Sequence, residues 1–163
     1  MLIEIVKRTP VWVYFLFVAL VAFGYIQSKD RVVSRGKLAI LPLVMIGLSL
    51  YGILAAYGIS VVGLFAWLMG IGCAVWFGAR LVKLRGVGFI SESKTYFVPG
   101  SWLPLGLMMV IFFIKYATGI ILARRLPIVI EPGFIGSISF CYGFLSGLFF
   151  ARALAIWRTA RPA

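Results

Sequence analysis

The sequence predicts an all-α, polytopic transmembrane helical bundle with five spans, and three observations carry that reading. Five apolar stretches, about residues 10–27, 38–57, 60–79, 101–123 and 133–157, account for most of the 163 residues. Each is long enough to cross the roughly 30 Å hydrocarbon core of a bilayer as a helix. Composition agrees, with 63% of residues hydrophobic, 12% charged and a mean hydropathy of +1.10, where soluble proteins are about half apolar and a quarter charged. The charged residues also gather between the stretches rather than within them. Lipid offers no water to backbone amides, so a spanning segment must be a helix or a strand of a closed barrel. These lengths are those of helices. A soluble fold is excluded, and five helices with short connections leave no room for a second domain, so residues 1–163 are expected to form one integral membrane domain.

Segment one opens at Thr9, a suitable N-cap, with Pro10 in the first helical position, where a missing amide costs nothing. Lys7 and Arg8 before the apolar run and Ala22-Phe23-Gly24 within it loosely imitate a signal peptide, yet the segment is expected to be a retained helix. Segment two carries Pro42 in its first turns, where proline is tolerated better than at mid-helix. A tight turn at Tyr57, Gly58 and Ile59 returns the chain into segment three, so these two segments are expected to form an antiparallel helical hairpin. The one long connection, Arg80 to Gly100, holds two aromatic and β-branched patches, Phe89-Ile90 and Tyr96-Phe97-Val98, around Ser91-Glu92-Ser93-Lys94. That pattern predicts a short β-hairpin resting at the membrane interface. Segment four has Pro104 near its start, and the connection from Arg124 to Pro132 into segment five is too brief for a domain.

Orientation follows from basic residues, which accumulate in cytoplasmic loops. One side holds Lys29, Arg31, Arg35, Lys37, Arg80, Lys83, Arg85, Lys94, Arg152, Arg158 and Arg161; the other holds Lys7, Arg8, Arg124 and Arg125. Eleven against four places the N-terminus outside and the C-terminus in the cytoplasm, in a bacterial inner membrane. Trp12, Tyr14 and Tyr57 then anchor the outer ends, and Trp76, Trp102 and Trp157 the inner ones. Topology accounts for most of the net charge of +12, which in a soluble chain would suggest nucleic acid. The basic side is expected to meet anionic lipid headgroups.

Segment five places Ser139, Gly143, Gly147, Ala151 and Ala155 four residues apart, and segment three repeats the device with Ala66, Gly70, Ala74 and Gly78. Small residues let helix backbones approach closely in lipid, where van der Waals contact must replace the hydrophobic force. These segments are expected to pack together or against a second copy, which leaves a homo-oligomer or a membrane-protein partner open.

The chain has no histidine, and its four carboxylates, Glu4, Asp30, Glu92 and Glu131, lie outside the apolar stretches. An intramembrane protease, a di-metal hydrolase or a histidine-ligated haem protein needs residues missing here. No catalytic residue, metal or cofactor is therefore expected. Cys73 and Cys141 differ by about 8 Å in expected depth alone, more than a disulfide tolerates. Lys115 breaks the pattern of charges at helix ends, lying some 12 Å from the outer end of segment four. Burying a lysine there costs a few kcal/mol unless it snorkels or finds a partner. It shares a face with Thr118 and Gly119, and Glu131 is the nearest outer-side carboxylate in sequence, so Lys115, Thr118 and Glu131 are the candidate ligand-binding residues. A purely structural lysine is the competing reading.

At Thr9-Pro10-Val11-Trp12, Arg35-Gly36-Lys37-Leu38, Leu41-Pro42, Ser49-Leu50-Tyr51-Gly52, Val98-Pro99-Gly100-Ser101-Trp102-Leu103-Pro104 and Lys115-Tyr116 the chain resembles a family of small uncharacterised bacterial inner-membrane proteins. That group is distantly similar to CcdC-type membrane proteins, linked by name to cytochrome c biogenesis. The resemblance implies a multi-pass protein and supplies no catalytic residues. The expected function is a non-enzymatic accessory or lipid- or ligand-binding role, with a small transporter or channel-like permease for an anionic or lipid-like solute as the alternative. Transporters are expected to show internal repeats and helices broken at mid-membrane, and neither is evident here. Cysteine-accessibility labelling on a Cys-free background should find position 4 exposed outside and position 92 inside; the reverse pattern would refute the orientation.

Overall fold

A computed structural model of the chain describes residues 10–81, 86–90, 95–124 and 126–159. Five helices dominate: α1 (Val11–Gln27), α2 (Arg35–Tyr57), α3 (Val61–Leu81), α4 (Leu103–Ala123) and α5 (Pro132–Thr159). Three strands, β1 (Arg31–Ser34), β2 (Gly88–Ile90) and β3 (Thr95–Val98), form a small sheet, and a 3-10 turn (Pro127–Ile130) precedes α5. Helices α2 to α5 are long and apolar enough to cross a bilayer. With 17 residues, α1 is apolar but spans only about 25 Å. Thr9 lies outside the described residues, and Pro10, with ψ 143°, stands before the first helical residue instead of within the helix. Arg35 begins α2 three residues earlier than the hydropathy suggested, which places Pro42 about two turns inside the helix. Much of the outer surface is apolar, including Phe15, Val61, Phe65 and Ile130. Hydrocarbon suits such a surface, whereas water would drive it to aggregate.

The closest packing joins α3 to α5. A Cβ built at Gly70 would overlap the Phe140 carbonyl oxygen, one at Gly143 the Trp67 carbonyl oxygen, and one at Gly147 would lie 2.8 Å from the Ala74 Cβ. Further along, Gly78 faces Ala151. Residue numbers rise together on both helices, so the two run parallel. Ser139 and Ala74 are fully buried in the seam. Ala66 is not part of it; half-buried, it lines an open apolar groove with Val62, Phe65 and Phe140. Gly63, packed against Ser139 and Ile135, occupies the corresponding place.

The expected hairpin of the second and third spans needs correction. Gly58, at φ +66°, makes the turn, donates its amide to the Leu54 carbonyl (2.9 Å), and reverses the chain. The Ser60 hydroxyl then caps α3 by accepting from the Gly63 amide. Beyond the turn, however, α2 and α3 touch little, and both lie against α5. Glycines on α3 admit the α5 backbone, whereas α2 presents Ile46, Leu50 and Ile53, which reach the others through side chains.

Helices α1 and α4 form a second unit. A Cβ at Gly24 would sit 2.7 Å from the Leu105 Cβ, and Phe17 packs on Phe112 with ring centroids 5.3 Å apart. Leu107 and Met108 of α4 join this pair to the rest by packing on Phe149, with Leu41 and Met45 of α2 around them.

The β2–β3 hairpin is present, with its turn, 91–94, outside the described residues. β1 adds a third, antiparallel strand, giving the order β1-β3-β2. Tyr96 and Val98 are buried on the inward face against Leu38 and Ile156, so the sheet closes one end of α2 and α5. The link into α4 is tied to the end of α1: the Ser101 amide donates to the Gln27 carbonyl (3.1 Å) and the Gly100 amide to Asp30 Oδ1 (2.6 Å). A Cβ at Gly100 would collide with the Ser28 carbonyl.

Gly143→Leu should separate α3 from α5 and lower stability by about 1–3 kcal/mol or more, as overpacking does. Gly72, with open space around its Cβ position, is the control. Gly72→Ala should be neutral or gain up to about 1 kcal/mol of helix propensity. Thermal melts of both variants in detergent check this, and equal melting temperatures would refute the close contact.

Candidate functional site

Polar side chains inside this bundle must satisfy one another, because an unmade hydrogen bond away from water costs more than a made one gains. The best-satisfied group lies between α2, α3 and α5. Trp67 Nε1 donates to Ser49 Oγ (3.0 Å), which stands 3.2 Å from Ser146 Oγ. Ser146 donates to the Tyr142 carbonyl of its own helix (2.8 Å), and Ser49 shares its single proton between Ser146 Oγ and the Ile46 carbonyl (2.9 Å). Three helices are thus cross-linked by one indole and two hydroxyls, all buried.

Lys115 of α4 reaches across the seam between the two helical units. Its Nζ lies 3.4 Å from the Leu48 carbonyl and 5.2 Å from the centroid of the Tyr142 ring. A Cβ at Gly52 would overlap this ammonium, so the missing side chain at 52 opens the path to the carbonyl one turn back. The cation therefore holds one long hydrogen bond and one ring face, which leaves most of its three donors unused. Thr118, one turn further along α4, is buried and donates to the Ile114 carbonyl (2.7 Å), while its hydroxyl also meets that of Tyr142. Close by, the Tyr57 hydroxyl is buried without a hydrogen-bond partner.

Lys115 and Thr118 are thus brought to one place with Tyr142. Glu131 is not among them; it is exposed and lines a separate cleft with Ile128, Phe134 and Ser137. It lies eleven residues before Tyr142, about 16 Å along the helix direction. Gly143, Gly147, Gly70, Ala74 and Ser139 belong to the α3–α5 seam, where Ser139 Oγ is buried without a partner. Cys73 and Cys141 are free thiols. Among the described residues, no group of histidines, cysteines and carboxylates could hold a metal. Tyr142, Gly52 and the Leu48 carbonyl escaped the sequence reading. A glycine in an apolar span, one of two there with Gly47, was their one visible trace, and a backbone carbonyl leaves none.

A model of the family of unknown function DUF6622 matches residues 1–163. The chain belongs to DUF6622. This DUF6622 chain is also 29% identical over 90 residues to an uncharacterised protein of Pasteurella multocida (strain Pm70), covering 55% of the chain and 68% of that protein. No solved structure matches. The similarity to CcdC-type proteins is not among what these comparisons show.

Trp67→Phe deletes the donor and replaces the indole by a smaller ring. It should cost about 1 kcal/mol for the hydrogen bond and more for the space left in a buried position. A thermal melt unchanged from wild type would mean that the indole bond contributes nothing.

Proposed function

We propose that this DUF6622 protein is a non-catalytic membrane protein that holds an anionic amphiphile against Lys115. The observation that carries the reading is the under-used ammonium: it sits in a seam between two helical units, its one hydrogen-bond acceptor is 3.4 Å away, and it is partly open to the surroundings. A carboxylate would supply acceptors that the Leu48 carbonyl and the Tyr142 ring do not, and ion pairing is strongest where water is scarce. Exposed apolar side chains on α2 near the accepting carbonyl, Leu48 and Tyr51, suit an acyl chain rather than a soluble anion. At some 12 Å from the end of α4, Lys115 lies too deep for a phospholipid headgroup at the surface. A fatty-acid carboxylate reaches that depth more readily. The lack of histidine and of carboxylates within the spans supports a binding role over catalysis. The placement belongs to a bacterial inner membrane with the Lys115 side of the bundle outward, as the distribution of basic residues suggests.

Lys115→Met keeps side-chain length and removes the charge. Without ligand it should be as stable as wild type or more so, since a desolvated cation is replaced by an apolar chain. Laurate or oleate added to the detergent-solubilised protein should raise the wild-type melting temperature by several degrees and leave Lys115→Met unmoved, because a ligand stabilises only the form it binds. Equal responses of the two proteins would overturn the proposal.

A further inference from the structure

A second pair of unneutralised cations lies at the sheet end of the bundle, remote from Lys115. Alternation along β1 turns Arg31 and Val33 inward and Val32 and Ser34 outward. Arg31 pairs with Val98 and Val33 with Tyr96, so the guanidinium stands on the same face as the sheet's buried core. Opposite it is Arg152 of α5, one turn before Ile156. Arg152 is only 7% exposed, and its Nη2 is buried without a hydrogen-bond partner. Arg31 donates from Nη2 to Gln27 Oε1 (3.1 Å), itself buried at the end of α1, while its Nε is buried and unpartnered. The two guanidiniums are close enough to repel.

Arginine keeps its charge in proteins, so burial cannot be relieved by losing the proton. Desolvation pushes the Arg31 guanidinium below its usual value. A counter-anion is called for, and the described residues offer none. Asp30 is engaged by the Gly100 amide, and Glu131 precedes α5 at the opposite end of the bundle. Glu4 and Glu92 lie outside the described residues. Arg31 stands at the far end of the ladder from Thr95, the first described residue after Glu92, about 10 Å along the strand.

We propose that Arg31, Arg152 and Gln27 form a binding site for a phosphoryl group. Two planar guanidiniums present several N–H donors, which a tetrahedral oxyanion can accept on separate oxygens, whereas a carboxylate has only two oxygens to share. Gln27 fixes the Arg31 fork, and its amide nitrogen provides a further donor. The site lies where α1 ends and the sheet begins, the level at which lipid phosphodiesters meet a spanning protein. The phosphoryl group can therefore belong to a lipid headgroup or to free phosphate.

The test uses the full chain in maltoside detergent, which carries no phosphate, with a short-chain phosphatidylglycerol, inorganic phosphate or chloride added at matched ionic strength. Wild type should gain several degrees in melting temperature from a phosphoryl compound and not from chloride, and Arg152→Met should lose that gain. A response to phosphatidylglycerol alone identifies a headgroup; a response to inorganic phosphate as well identifies a site open to the free anion. Arg152→Met replaces a buried charge by an apolar chain and should fold. Arg31→Gln provides a second variant, and native mass spectrometry a second readout, in which wild type should retain phosphatidylglycerol adducts that either variant loses. Lys115→Met should keep the phosphoryl response, which separates this site from the proposed amphiphile site. If both variants respond and retain adducts like wild type, the proposal is wrong and the arginines only fill space.

Discussion

The approach of the α3 and α5 backbones is the contact on which the rest of the molecule is assembled. Gly70, Gly143 and Gly147 leave so little between the two helices that even a Cβ would strike main chain or a neighbouring Cβ. In lipid no hydrophobic force holds helices together, so a seam of this closeness contributes through many small dispersion contacts. The two run parallel because α4 returns the chain between them, although the tight turn at Gly58 makes α2 the sequence neighbour of α3. With α3 committed to α5, α2 is left to join through side chains, and the Trp67–Ser49–Ser146 bonds supply direction where apolar contact alone would let it slide.

That arrangement determines where polar groups can sit. α5 meets α3 with its small residues, the sheet with Ile156, and the α1–α4 unit with Phe149. Two of its polar side chains, Tyr142 and Arg152, lie where the units meet. Tyr142 faces the α4 cation and Arg152 faces β1. Both proposed sites are therefore junctions between separately packed parts, made of side chains from at least two helices or a helix and the sheet. A junction of this kind is where a ligand can be held without disturbing the α3–α5 contact.

The spans were legible because hydropathy needs only local sequence, and the hairpin because β-branched and aromatic residues flank a polar turn. β1 was not. Arg31-Val32-Val33-Ser34 is four residues long and begins and ends polar, and its partner, β3, lies more than sixty residues away. The α2–α3 hairpin misled for a related reason: a tight turn fixes direction, while the choice of packing partner depends on surfaces distant in sequence. Spacing in fours pointed to the small residues of α5, yet on α3 it selected Ala66, which faces the open groove, and omitted Gly63. A helix of 3.6 residues per turn drifts away from any strict interval of four. Of the candidate site, Lys115 and Thr118 could be found as polar residues in an apolar span. Glu131 was drawn in by charge complementarity, which carries no information about depth.

The two cations cannot serve one ligand head. Lys115 is level with Tyr142, and Arg152 lies ten residues further along α5, about 15 Å at the helical rise. They also differ in kind. The ammonium of Lys115 ends a flexible chain and keeps an alternative, since it can turn toward the outer surface when nothing occupies the seam. Arg152 has less freedom: it is almost wholly buried, beside a second guanidinium that repels it. A lone lysine in lipid can therefore be tolerated by moving, whereas paired buried arginines are relieved only by an anion arriving between them. On that difference the arginine site should hold its anion longer than the lysine site holds its ligand.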